Sequence, residues 1–389
     1  MRLPKLIPYV PRRARLTLVF FVAFPLAFVI LVWSDARAGD TFNFLRWERT
    51  SVTNKWLYLV GAPLRRDPDA DESLARYFAI DDYTTEEARQ LENVVEAEIE
   101  GRIDQVISEL GIDGRLALPG SVFPPVDIEF ASTPRALVIS PRDHVERIDT
   151  GLLRPDLTLN DALALEVAAE EDPTRSAIVV GTGGIATYPA VVREGRSYAI
   201  TVATAAHEWV HHYLSFYELG LRYNDSSDLR TINETVADIA GDDIASIVIE
   251  RFGAPVIAEE TLVEDTDTSP SEPASLKVDY NRVLRDLRLE VDELLDTGRI
   301  EDAEARMEEV RLELCDADYC IRRINQAYFA WYGTYAARKD AVDLLGDQLR
   351  ELRAYLGSLE SFLSTVSRLG SRAEVEQLWA SVPTGTVGN

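Results

Sequence analysis

The stretch His207-Glu208-Trp209-Val210-His211 restricts what this chain can fold into more than any other. The chain holds four histidines, and three of them, His207, His211 and His212, fall within six consecutive residues. Side chains four apart on an α-helix lie on one face, one turn apart. Two imidazoles so placed can reach a single metal ion. Glu208, one position after the first, points beside that ion, where it can act on a water. Trp209 and Val210 are bulky and apolar, which suits a helix that must also pack in a core.

A pair of histidines does not complete a catalytic ion site. A third ligand is needed, with one position left open. A third histidine in the spacing HExxHxxGxxH is excluded, because Leu214 and Tyr217 occupy its glycine and histidine positions. The alternative is a following helix that returns in the opposite direction. Residues 202–216 and 229–252 read as two such helices. Glu234 lies 23 residues beyond His211, which leaves room for a loop and the return. Asp238 sits one turn further on the same face, where a carboxylate can accept the second ring N–H of His207. Gly241 and the alanines at 237, 240 and 245 let the second helix pack closely on the first. His212 points about 100° away from His211 and reads as a rim or packing residue. His144 reads as a surface residue.

A chain of 389 residues, 46% hydrophobic, can bury a full core and hold two or three domains. Its net charge of −26, from 66 acidic against 40 basic residues, repels a nucleic-acid backbone and argues against that class of partner. Arg2, Lys5, Arg12, Arg13 and Arg15 precede an apolar run from Leu16 to Trp33. Such a run just spans a bilayer, and the basic cluster keeps its own side cytoplasmic. The expectation is a single-pass anchor through residues 16–33 with the rest of the chain outside the cytoplasm. Ala36-Arg37-Ala38 also fits a signal-peptidase site, and cleavage after Ala38 would make the protein secreted. Cys315 and Cys320 are the only cysteines. They either close a small disulfide loop or stay as two buried thiols, since one continuous helix would hold them apart.

The chain divides by pattern. Residues 1–40 form a basic stub and the transmembrane or signal segment. Residues 41–115 read as helical, with one helix over 41–63 and a long amphipathic one over 84–111, opened by Thr84 and closed by Gly111. Residues 116–257 carry strand candidates at 126–132, 136–140 and 176–192, with Tyr198–Val202 as one more, before the two helices. Residues 258–275 are acidic, with two prolines, and read as a linker or loop. Residues 276–389 read as helical, with a hairpin around Asp296-Thr297-Gly298-Arg299 and an aromatic stretch from Asn325 to Tyr335. The fold class is α+β, mostly helical.

HExxH followed by Asn233-Glu234 and Asp238 in the pattern NExxxD resembles the thermolysin-like, gluzincin class of zinc metallopeptidases. The likeness covers residues 200–245 closely. It implies a zincin-like catalytic core over 116–257, with a small β-sheet beside the active-site helix and a helical C-terminal subdomain. It implies Zn²⁺ held by His207, His211 and Glu234, with Glu208 as general base and Asp238 behind His207. The edge strand that aligns the substrate in this class would fall at Gly183–Thr187. Thermolysin also brings a histidine from its C-terminal domain to the oxyanion, and no histidine follows His212 here. Related aminopeptidases use a tyrosine instead, which nominates Tyr332 and Tyr335, on one face with Tyr328. The stretch from Asn325 is similar to an Asn-x-Ala…Tyr segment of predicted bacterial aminopeptidases; its competing reading is an aromatic stripe that is simply core. The expectation is an exported, membrane-anchored zinc peptidase acting on a peptide or protein, with endopeptidase and aminopeptidase both open. The alternative is a membrane-anchored scaffold with a structural ion, against which Glu208 argues, because a structural site needs no base.

Overall fold

The computed structural model describes residues 39–44, 47, 69–112, 122–255 and 279–383. The apolar run 16–33, the acidic stretch 258–275 and most of the helix expected over 41–63 lie outside the described residues. Among the described residues no helix is long and apolar enough to cross a membrane. The protein is α+β and mostly helical.

Two helices lead, α1 (Ala70–Phe78) and α2 (Glu86–Glu109). The Thr85 side chain accepts from the Ala88 N–H and opens α2, one residue later than expected, and Gly111 ends it at φ +68°. The strands follow as β1 (Ile128–Ala131), β2 (Arg135–Pro141), β3 (Asp149–Leu153), β4 (Arg175–Gly181), β5 (Gly184–Ile185) and β6 (Ala190–Arg193), with helix α3 (Leu159–Ala169) before β4. They make two three-stranded sheets, ordered β1-β6-β5 and β3-β2-β4. In the first, β1 runs parallel and β5 antiparallel to the central β6, so β5 is an edge strand. The second is wholly antiparallel, with Val138 opposite Ile178 on β4. Nothing in the sequence pattern marks β3, and the one local signal for α3 is the capping box of Thr158 and Asp161. The strand reads Asp-Thr-Gly-Leu-Leu without clean alternation, and Leu163 and Val167 of the helix are exposed.

The remaining elements are α4 (Tyr198–Leu214), α5 (Glu218–Leu221), α6 (Ser227–Phe252), α7 (Tyr280–Asp296), α8 (Ile300–Asp316), α9 (Gln326–Tyr332), α10 (Leu345–Leu356), α11 (Leu359–Val366) and α12 (Arg372–Ala380). Tyr198–Val202, expected as a strand, is instead the first turn of α4. Its β-branched residues suit a strand, but the Ser197 side chain accepts from the Ile200 N–H and caps a helix. Tyr198, Thr201 and Val202 then bury at helical spacing. Helix α8 stops at Asp316 and Asp318 turns at φ 70°, so Cys315 and Cys320 do not share one helix, and a disulfide joins them.

Two cores organise these elements. One gathers α1, α2, the first sheet, α4, α6 and α10–α12 around Ile99, Val192, Trp209, Ile232 and Phe362. The other packs one face of the second sheet, through Val138 and Ile178, on Val291, Met307 and Trp331 of α7–α9. Helices α4 and α6 meet through fully buried Ala205, Ala206, Ala237 and Ala240. A Cβ on Gly241 would lie 2.9 Å from the His207 nitrogen and 3.0 Å from its Cα. No side chain fits there without moving one helix.

Gly241→Val tests that contact. It is expected to destabilise the metal-free protein by about 1–3 kcal/mol, seen as a lower denaturant midpoint at unchanged slope. An unchanged midpoint would mean the helices have room to spare.

Candidate metal centre

Helices α4 and α6 run antiparallel, so Asn233 meets His211 while Asp238 and Gly241 meet His207. His207 Nδ1 lies 3.0 Å from Asp238 Oδ1, and His211 Nδ1 lies 2.8 Å from Asn233 Oδ1. The Asn233 amide donates to the Leu219 carbonyl, which orients its oxygen toward His211. Both Nδ1 atoms therefore face acceptors and carry the ring proton, leaving a lone pair on each Nε2. The two Nε2 atoms stand 3.0 Å apart, and Glu234 Oε2 lies 3.5 Å from that of His207 and 3.4 Å from that of His211. Donors about 2.0–2.1 Å from a tetrahedral ion are roughly 3.3 Å from one another, close to all three separations. His207, His211 and Glu234 form a group that could hold a metal ion.

Charge follows from this crowding in the metal-free chain. Burial alone would lower the His207 imidazole, but hydrogen bonds to Asp238 and Glu234 outweigh it and hold it well above its ordinary value. Burial likewise opposes charge on His211, and the Glu234 carboxylate outweighs it. Burial would raise Glu234, yet the two imidazoles hold it well below the usual carboxylate range. Protons thus bridge the cluster, and a metal ion entering it must displace them.

Glu208 is 5% exposed, and among the described residues no group donates a hydrogen bond to it. A buried carboxylate without a protein partner takes its partner from solvent or a ligand. Its carboxyl lies against β5: a Cβ on Gly184 would fall 2.5 Å from Glu208 Oε1 and 2.9 Å from the Val191 carbonyl oxygen. Only glycine fits between this carboxyl and the strand. Burial pushes the Glu208 carboxyl up, against the pull of both histidines. His212 points to the other side, where its Nε2 donates to the Thr187 carbonyl at 2.6 Å. Its Nδ1 is buried without a partner, and burial brings the imidazole down to about 4, so it stays neutral. His212 is a packing residue that ties α4 to the segment following β5. His144 is an exposed residue between Asp143 and Glu146, outside the cleft.

The cluster lies in a cleft of about 890 Å³, walled by β5, α4, α6, β3 and the segment from Trp331 to Arg338. Tyr332 and Tyr335 line it. Burial, and then the charge of Glu234, hold the Tyr335 hydroxyl well above its ordinary value. Tyr332 lies under the Arg338 guanidinium, 4.9 Å from ring centre. Tyr328 is buried against Tyr280 and does not reach the cleft. Three further residues escape the sequence reading. The Tyr223 hydroxyl donates to Glu234 Oε1 at 2.5 Å, and Arg147 and Arg230 stand beside Tyr223. Tyr223 falls in the gap between His211 and Glu234, but no spacing rule singles it out from Tyr213 and Tyr217. Arg147 reaches the site only through the β2–β3 hairpin, which no local pattern reports.

Comparison of the chain with known family models, curated proteins and solved structures found no match.

Glu234→Ala is expected to abolish stoichiometric metal binding, and Asp238→Ala to weaken it by about 10–100-fold, measured by competition with a chelating dye. Full retention in Glu234→Ala would move the third ligand to Asp238 or Asp242. Because protons must leave, affinity should rise with pH through and beyond the ordinary imidazole range, with proton release seen by calorimetry in buffers of different ionisation heat. Affinity independent of pH would contradict a proton-bridged cluster.

Proposed function

We propose that the protein is an exported zinc-dependent peptidase of the thermolysin-like, gluzincin kind, anchored in the membrane through residues 16–33, or secreted if cut after Ala38. One observation carries the reading: His207 Nε2, His211 Nε2 and Glu234 Oε2 converge beside a buried carboxylate, Glu208, that is wedged against an edge strand. Two imidazoles and one carboxylate at tetrahedral spacing are a donor set suited to zinc. A zinc ion held there supplies the positive charge that polarises a peptide carbonyl and acidifies a water.

The chain's own residues do the rest. The edge strand Gly184–Ile185 accepts an extended peptide as an added strand. Glu208 then takes a proton from the attacking water and returns it to the leaving amine. The upward shift of its carboxyl by burial suits a group that must both accept and release a proton. The Tyr335 or Tyr332 hydroxyl donates to the oxyanion that grows on the peptide carbonyl. Asp238 and Asn233 hold the two imidazoles in the tautomer that offers Nε2, and Tyr223 holds the second oxygen of Glu234. A scaffold with a structural ion has no use for Glu208.

The zinc-loaded protein is expected to hold about one ion per chain and to cut members of a peptide library. Glu208→Gln should keep the ion and lose about 10²–10⁴-fold in kcat. A zinc-loaded protein that cuts nothing in a broad library would return the reading to a scaffold. Tyr335→Phe should lower kcat by about 10²–10³-fold with KM little changed if this hydroxyl serves the oxyanion; unchanged kcat would pass the role to Tyr332.

A further inference from the structure

Arg147 and Arg230 differ from the other arginines around the site. Many guanidiniums of this acidic chain are bound by carboxylates, as in Arg142 with Glu304, Arg322 with Glu166, Arg338 with Asp340 and Arg372 with Asp343. Among the described residues no carboxylate lies within ion-pair distance of Arg147 or Arg230, and the Nε of each is buried without a hydrogen-bond partner. Arg147 donates to the Tyr223 hydroxyl at 3.4 Å and lies over the Trp331 ring at 5.2 Å. Arg230 lies over the Tyr223 ring at 5.8 Å and donates to the Arg147 carbonyl at 3.4 Å. All four residues line the cleft that holds the metal ligands. Tyr223 in turn donates to Glu234, so the guanidinium of Arg147 stands two short links from a ligand.

Two cations side by side, half-buried on aromatic faces, are costly without an anion. Burial, and then the Arg147 charge, hold Arg230 below its ordinary value. Glu234 and Glu146 offset that cost only in part and from beyond ion-pair distance, although the protein carries a net charge of −26. The anion must come from outside, and the planar donor fork of arginine matches a carboxylate.

We propose that Arg147 and Arg230 form the receptor for a carboxylate of the substrate, and that the cleft cuts peptides about one or two residues from that group, at ~3.3–3.6 Å of chain per residue. The inference rests on the peptidase reading above. The carboxylate has two sources, the peptide's own C-terminus and an Asp or Glu side chain.

Matched peptides separate them. One pair differs by a free or amidated C-terminus, and a second by Asp or Glu against Asn or Gln at each position. The zinc-loaded protein should prefer the carboxylate form of one pair by about 10–100-fold in kcat/KM. Loss of the preference on amidation assigns the C-terminus; loss on side-chain replacement assigns the acidic residue. Arg147→Gln and Arg230→Gln should bring the ratio toward one, with part of it kept in Arg230→Lys. The ratio is taken within one preparation, so partial misfolding cancels. Equal cleavage of both forms by the parent protein, or a preference that survives both glutamine variants, overturns the receptor and leaves the peptidase standing. Cleavage of no peptide overturns the peptidase instead. Titration of zinc-loaded Glu208→Gln with the free and amidated, or acidic and amide, peptides then decides the receptor: tighter binding of the carboxylate form that is lost with Arg147→Gln supports it, and equal or absent binding of both forms overturns it.

Discussion

Two imidazole nitrogens and a carboxylate oxygen crowded within about 3.5 Å of one another are not placed so by local structure alone. At His207, His211 and Glu234 they are held together by everything around them. Asp238 and Asn233 take the outer ring protons, so any further proton on the imidazoles sits on the inner nitrogens, where an entering ion displaces it. The missing side chain of Gly241 and the four buried alanines let two long helices close to the range at which three donors share one ion. The apolar core beneath supplies the rigidity. Trp209, inside the same motif, is fully buried and donates its indole N–H to the Pro124 carbonyl. Burial of such a side chain is worth about 1.5–3 kcal/mol, and it locks the helix about its own axis. The motif's two apolar positions thus anchor the helix that its polar positions exploit.

What could be read from the sequence divides along the range of the interactions. The histidine pair is a local pattern, fixed by helical periodicity, and the return helix follows from the distance to Glu234. The amphipathic α2 and the α7–α8 hairpin are equally local, and their elements appear where their patterns lie. Tyr198–Val202 misled because strand propensity is a weaker signal than one serine cap and three burials at helical spacing. β3 carries no regular pattern, so only its partners define it, and α3 announces itself only by the Thr158–Asp161 capping box. Arg147 and Tyr223 meet at the site from segments that share no periodicity. Their significance lies in what is missing around them, and a sequence does not record missing partners.

The acidic excess of the chain acquires a structure in this light. Most buried or half-buried charges are closed locally, as where Glu166, buried in α3, accepts from the Val179 N–H and from Arg322 and Arg323. These closures join α3, β4 and the segment before α9 into one unit. Against that background the cleft is the region where charges are left open. Among the described residues it holds Glu208 without a donor, paired arginines without a carboxylate at ion-pair distance, and three donors that could share a metal ion. Uncompensated groups that each cost stability are gathered where a substrate and an ion can compensate them.

Neighbouring residues His211 and His212 look in opposite directions along α4. One presents its nitrogen to the ion position, and the other grips the carbonyl of Thr187, just beyond β5. Helix, candidate ion position and edge strand are therefore measured from a single datum. A roll of the helix that displaced His211 would drag the segment after β5 in step, so the cluster and the strand beside it drift together rather than apart.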